Sequence, residues 1–130
     1  MNKYIVLALL NASLFACGNE DHQEGNACTT SIEPGIVVEV RDAISDAPLA
    51  EHANVIISDE EYQETLTVNA FEGLDSSSAY SLAGAYERPG MYDIDLSLSG
   101  YESWSRSQVE VEPGICHVNT VKFTVRLSAI

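Results

Sequence analysis

From Gly35 onward, apolar and polar residues alternate with period two between turn signals, and no stretch carries the i, i+3, i+4 repeat of an amphipathic helix. The pattern predicts an all-β chain of seven strands. Ile36, Val38 and Val40 alternate with Val37, Glu39 and Arg41, and Asp42 to Pro48 supplies the Asp, Ser and Pro that suit a turn. A second strand spans Asn54 to Ser58, where Val55, Ile56 and Ile57 form the continuous apolar run of a strand covered on both sides. Tyr62 to Val68 alternates except at Glu64, which predicts an exposed strand whose charge protects an edge. Gly73 and three serines make Asn69 to Ser78 a loop, and Ala79 to Tyr86 places Tyr80, Leu82, Gly84 and Tyr86 on one face.

The clearest strand is Met91 to Leu98, launched by Arg88-Pro89-Gly90. Its Tyr92, Ile94, Leu96 and Leu98 face the core while Asp93, Asp95 and Ser97 face water. Trp104 to Val111 follows, with Val109 and Val111 inward, and Pro113-Gly114 ends it. In the last strand Cys116 and Val118 share one parity and Val121, Phe123, Val125 and Leu127 the other, which predicts a β-bulge near Asn119-Thr120. Seven short strands at this spacing predict a two-sheet sandwich.

The first residues read differently. Lys3 gives a positive n-region, Tyr4 to Leu10 a short apolar run, and Leu14-Phe15-Ala16-Cys17 the site at which a bacterial lipoprotein leader is cut and its new N-terminal cysteine acylated with palmitate-type chains. The apolar run is too short for a finished spanning helix. Residues 1–16 are therefore expected to be a signal peptide, 17–27 an acidic polar tether, and 28–130 a single β-domain. As a coil the tether reaches about 15–20 Å.

The formal charge of −14 and five scattered cations beyond Lys3 (Arg41, Arg88, Arg106, Lys122 and Arg126) exclude non-specific nucleic-acid binding, which needs clustered Lys and Arg to release counterions. Three cysteines are an odd count. If Cys17 carries lipid, Cys28 and Cys116 remain as a pair in an oxidising compartment, and a disulfide between them is expected. A metal or redox site is the competing reading, but no C-x-x-C occurs and His117 is the nearby ligand type. A bridge from Cys28 to Cys116 puts the starts of the first and last strands at one end, which predicts that these strands run side by side and parallel.

Gly35-Ile36-Val37-Val38-Glu39-Val40-Arg41-Asp42 with Pro48-Leu49 and Ala53-Asn54-Val55, then Arg88-Pro89-Gly90-Met91-Tyr92-Asp93-Ile94, then Gly100-Tyr101, together resemble the carboxypeptidase regulatory-like domain. The resemblance covers about residues 35–127. It implies a seven-stranded, transthyretin-like (prealbumin-like) sandwich in which Asp46 to Leu49 turns the first hairpin and Gly100-Tyr101 closes a core strand with an aromatic lid. It implies no catalytic role, since the domain is non-catalytic where it accompanies a peptidase. Asp59-Glu60-Glu61 and the serine loop depart from the pattern. By analogy with lipoproteins, Gly18 after the acylated cysteine implies sorting to the outer membrane of a diderm bacterium.

Catalytic chemistry finds little footing. Hydroxyisourate hydrolases, which resemble transthyretin, end in Tyr-Arg-Gly-Ser, whereas this chain ends Arg126-Leu127-Ser128-Ala129-Ile130. Intradiol dioxygenases need two Tyr and two His together, and His22, His52 and His117 are scattered. No G-x-S-x-G elbow occurs. Asp59, Glu60, Glu61 and Glu64 are weak oxygen donors for Ca²⁺, without EF-hand spacing and more simply read as a solvated hairpin tip. Trp104, between Ser103 and Ser105, and Tyr101 are the candidates for an exposed ligand surface. The expected function is that of a non-enzymatic cell-envelope lipoprotein, without cofactor, held on the membrane by its lipid and acting as an interaction or structural module through an exposed sheet edge. Small-ligand, carbohydrate or Ca²⁺ binding is the alternative, and a transthyretin-like hydrolase the third reading.

Overall fold

The computed structural model describes residues 27–69 and 81–130. The expected leader, Cys17, residues 17–26 of the expected tether, most of the serine loop and Tyr80 lie outside the described residues. Among the described residues there are eight strands: β1 (Ile36–Asp42), β2 (Asn54–Ser58), β3 (Gln63–Thr65), β4 (Thr67–Val68), β5 (Ser81–Gly84), β6 (Gly90–Ser97), β7 (Trp104–Val111) and β8 (Val121–Leu127). They form two four-stranded sheets, in the order β4-β5-β1-β8 and β3-β2-β6-β7. Among the described residues the fold is all-β, with one short 3₁₀ turn, Ala50–His52, linking β1 to β2.

One core joins the two sheets. Ile36, Val38 and Val40 of β1, with Val125 and Leu127 of β8, meet Val55 and Ile57 of β2, Tyr92, Ile94 and Leu96 of β6, and Val109 and Val111 of β7. The period-two pattern of β6 is realised in full, with Tyr92, Ile94 and Leu96 buried and Met91, Asp93, Asp95 and Ser97 exposed. β1 and β8 run parallel from Ile36–Val121 to Asp42–Leu127, the pairing that the expected disulfide suits. Both strands therefore start at one pole of the domain and finish at the other, about 20 Å away for seven residues.

Eight strands replace the expected seven because the run Tyr62–Val68 divides between the sheets. Residues 63–65 pair with β2, and residues 67 and 68 pair with β5 in the opposite sheet. Leu66 is the crossing point: its side chain is buried and its amide donates to the Val55 carbonyl at 2.8 Å. Opposite it stands Gly84, where a Cβ would collide with Leu66 Cδ2 and approach Glu64 Oε1 to 2.9 Å. Glu64 lies on the edge strand β3, as expected, but it shares a row with buried Ile57 and Ile94 and is half-buried on the core-facing side. Charges turned inward at edge strands discourage pairing with another sheet.

Three further expectations shift. The turn after β1 closes a short hairpin, with Asp42 N bonded to Ala47 O at 2.9 Å and Leu49 N to Val40 O at 2.8 Å, but the chain then crosses to the other sheet. β5 is four residues long and buried on both faces, because it lies between β4 and β1. The last strand starts at Val121, and the change of parity before it is absorbed outside the strand, where Val118 bridges to Pro113. The bulge falls in β7 instead. Tyr92 pairs with Val109 but Ile94 with Arg106, so Ser107 and Gln108 stand opposite Asp93 alone. Gln108 takes a left-handed φ of 56°, and its amide donates to Asp93 Oδ1 at 3.1 Å.

Candidate functional site

At the pole where β1 and β8 start, Cys28 and Cys116 are bonded, with Cα atoms 5.2 Å apart. The bond brings Thr29 beside His117, and a hydrogen-bonded cluster closes around Glu87. Glu87 Oε1 accepts from the Glu33 amide at 2.8 Å and lies 2.6 Å from His117 Nδ1, while Oε2 accepts from the Val118 amide at 3.3 Å. The Glu87 amide donates to the Glu33 carbonyl at 3.0 Å, and Thr29 Oγ1 lies 3.1 Å from His117 Nε2 and 2.7 Å from Ser31 Oγ. The order carboxylate, imidazole, hydroxyl is that of a nucleophile relay. Here both carboxylate oxygens are engaged by backbone donors as well, so the cluster fastens three segments of chain together: 29–33, the turn after β5, and the approach to β8. The Glu33 amide, above all, holds the Glu87 carboxyl below its usual range, and the His117 side chain adds to this. Glu87 reaches the cluster because it sits in a left-handed conformation, φ 49°, two residues after Ala85 at φ 53°.

The opposite pole carries the turn after β1. Asp42 Oδ1 accepts from the amides of Ile44 and Ser45, both at 2.8 Å, and Oδ2 accepts from the Tyr101 hydroxyl at 2.8 Å. The Ser45 amide, then the Ile44 amide, then the Tyr101 hydroxyl bring the Asp42 carboxyl down to about 2, and Asp42 in turn raises the Tyr101 phenol. Asp46 pairs with Arg41 at 3.5 Å and with Arg126, which locks the turn against β1 and β8. Tyr101 bridges to Ala129, and the preceding Gly100 adopts φ +87°, a left-handed turn that glycine enters without steric cost.

Of the candidate ligand-surface residues, Tyr101 is thus half-buried and hydrogen-bonded at this far pole, where it packs against the core. Trp104 begins β7 close by. It is also half-buried, because its row is that of Leu96, and its ring centroid lies 6.4 Å from that of Phe123 across the gap between the sheets. Arg106 extends the same stack, 5.0 Å over Phe123. The two aromatic candidates do not share one open platform, although each keeps an accessible edge.

The acidic segment is drawn apart. Asp59 Oδ1 accepts from the amides of Glu61 and Tyr62 at 3.0 and 2.9 Å, and Oδ2 pairs with Arg88 at 2.5 Å. Arg88 lies 3.9 Å over the Tyr62 ring and donates to the buried Tyr92 hydroxyl at 2.8 Å. Glu64 Oε2 accepts from the Tyr62 hydroxyl at 2.8 Å and the Ala85 amide at 2.9 Å. Glu60 and Glu61 stay exposed. Among the described residues no group of three or more His, Cys, Asp or Glu side chains converges on one point. Glu87 and Thr29 were not singled out by sequence, and the one available signal for them was Cys28 and Cys116 as neighbours of Thr29 and His117.

No family model and no curated protein matches the chain.

Proposed function

We propose that this chain is a lipid-anchored protein of the bacterial cell envelope, sorted to the outer membrane. In this reading its domain is a transthyretin-like sandwich of the carboxypeptidase regulatory-like type that serves as a non-catalytic interaction module. The observation that carries it is the Cys28–Cys116 bond. It secures the chain arriving from Cys17 at the pole where β1 and β8 begin, and so leaves the opposite pole, with Tyr101 and the start of β7, turned away from the anchor. A domain of this design holds a partner at a set distance from the bilayer. Among the described residues no strand lies outside β8, which at seven residues is long enough for a partner strand to be added. β7 is less suited, because its bulge interrupts its edge.

Two measurements test the proposal together. Mass spectrometry of the N-terminal peptide from envelope material is expected to show Cys17 acylated. A photo-crosslinking residue at Glu102 or Thr124 is expected to trap a defined envelope protein, while one at Thr30 traps none. An unacylated Cys17, or adducts confined to the Thr30 position, would overturn it.

A further inference from the structure

The pole that receives the chain carries two large apolar side chains in water: Ile32 is 65% exposed and Ile115 is 85% exposed. Single exposed isoleucines are ordinary. These two are tied together, since each lies within four residues of one half of the same disulfide. Neither rides on loose backbone. Ile115 sits in a tight turn closed by Gly114 N to His117 O at 2.8 Å, and Ile32 directly precedes Glu33, whose amide and carbonyl are both bonded to Glu87. Two apolar groups held in place before contact lose little freedom when they meet an apolar phase.

We propose that this pole rests on a net-neutral lipid surface through Ile32 and Ile115, an inference that builds on the anchored-module reading. Cys17 precedes Cys28 by eleven residues, so an acylated Cys17 and the disulfide are separated by at most about 40 Å even with the chain fully extended. Tethering at that range gives the pole a high effective concentration at the bilayer, so that a weak contact is populated. The lipid is net-neutral because exposed Glu60, Glu61 and Glu112 lie in loops at this same pole of a chain carrying a charge of −14, and an anionic leaflet repels them. Isoleucines suit the boundary between headgroups and acyl chains. The far pole supplies an internal control: Ile44 and Ile130 are 94% and 91% exposed, but follow the ends of β1 and β8.

The test uses the full acylated protein in phosphatidylethanolamine–phosphatidylcholine vesicles. Trp104 is the chain's one tryptophan, so in a Trp104→Phe background Ile32→Trp, Ile115→Trp, Ile44→Trp and Ile130→Trp each report one site. Lipids brominated in their acyl chains are expected to quench the tryptophans at 32 and 115 roughly twofold and to leave those at 44 and 130 unchanged, while aqueous iodide does the reverse. Replacing part of the lipid by anionic phosphatidylglycerol should abolish the difference. In the wild-type protein, amides of 30–33 and 113–117 should exchange more slowly with vesicles than without, which covers the case in which a tryptophan variant misfolds. Protein that floats with vesicles yet keeps positions 32 and 115 open to iodide, with unchanged exchange, overturns the docking alone. Protein that does not float at all overturns the anchored reading and the docking with it.

Discussion

Glu87 Oε1 and His117 Nδ1 lie 2.6 Å apart, joining the turn after β5 to the segment before β8 across 30 positions of sequence. The pair acts with two backbone amides, so the carboxylate form is the one the fold favours.

A carboxyl held below its usual value in the folded state adds stability that is present above its unfolded value and is lost as pH falls through the folded one. Glu87, Asp46 and Asp59 are lowered in this way, and Asp42 reaches about 2. The melting temperature is therefore expected to be level above about pH 5 and to fall between about pH 4 and pH 2. Glu87→Ala should make that fall shallower, as read by circular dichroism across the range. An equal slope in the variant would remove Glu87 from the account.

Glu64 is expected to matter more than an edge-strand glutamate normally does. It accepts from the Tyr62 hydroxyl and the amide of buried Ala85, so Glu64→Ala strands a buried donor and should cost about 1–3 kcal/mol in denaturant unfolding. Glu64→Gln keeps an acceptor and should cost less.

Gly84 marks where the chain passes between sheets. Gly84→Ala forces a methyl against Leu66 and should cost about 1–3 kcal/mol, part of which Leu66→Val restores in the double variant. Additive losses in urea titrations would show that the two positions do not touch.

Gln108 is exposed and left-handed. Gln108→Gly relieves that conformation and, after the added freedom of the unfolded chain is subtracted, should stabilise the domain by about 0.5 kcal/mol. A loss of stability would mean that the side chain makes a contact worth more than its backbone costs.

Removing the disulfide through Cys28→Ser with Cys116→Ser opens a sequence separation of 88, for which the chain-entropy model gives about 4–5 kcal/mol as an upper figure. Thermal unfolding of the variant, beside wild-type protein with and without reductant, checks it. An unchanged melting temperature would show that the unfolded chain gains no freedom from opening the loop.

Strands whose one face meets the core were legible from sequence, and β6 is the plainest case because Tyr92, Ile94 and Leu96 alternate with Asp93, Asp95 and Ser97. The parallel pairing of β1 and β8 was legible through the two cysteines. What stayed hidden depends on contacts between distant residues. The split at Leu66 follows from Val55 and Gly84, far away in sequence, and Glu64 looked like a surface charge because its partners, Tyr62 and Ala85, come together only in the fold. The β7 bulge escaped notice for a similar reason: Gln108 adopts its conformation to meet Asp93 on the neighbouring strand. Around Glu87, the cluster needed the bridge itself before Thr29 and His117 could be placed side by side.

Because β1 and β8 set out together from the bonded cysteines, tension applied between Cys28 and the C-terminal Ile130 crosses the sulfur bridge to Cys116 and runs lengthwise along β8. With the bridge reduced, the same pull loads the seven-residue ladder of β1 and β8 in shear, every rung at once. The intact bond routes that force past everything between positions 28 and 116, so strands β1 to β7 carry little of it. While the bridge holds, the domain can extend little between these two points, and its reduction should release the chain it spans, a sequence separation of 88.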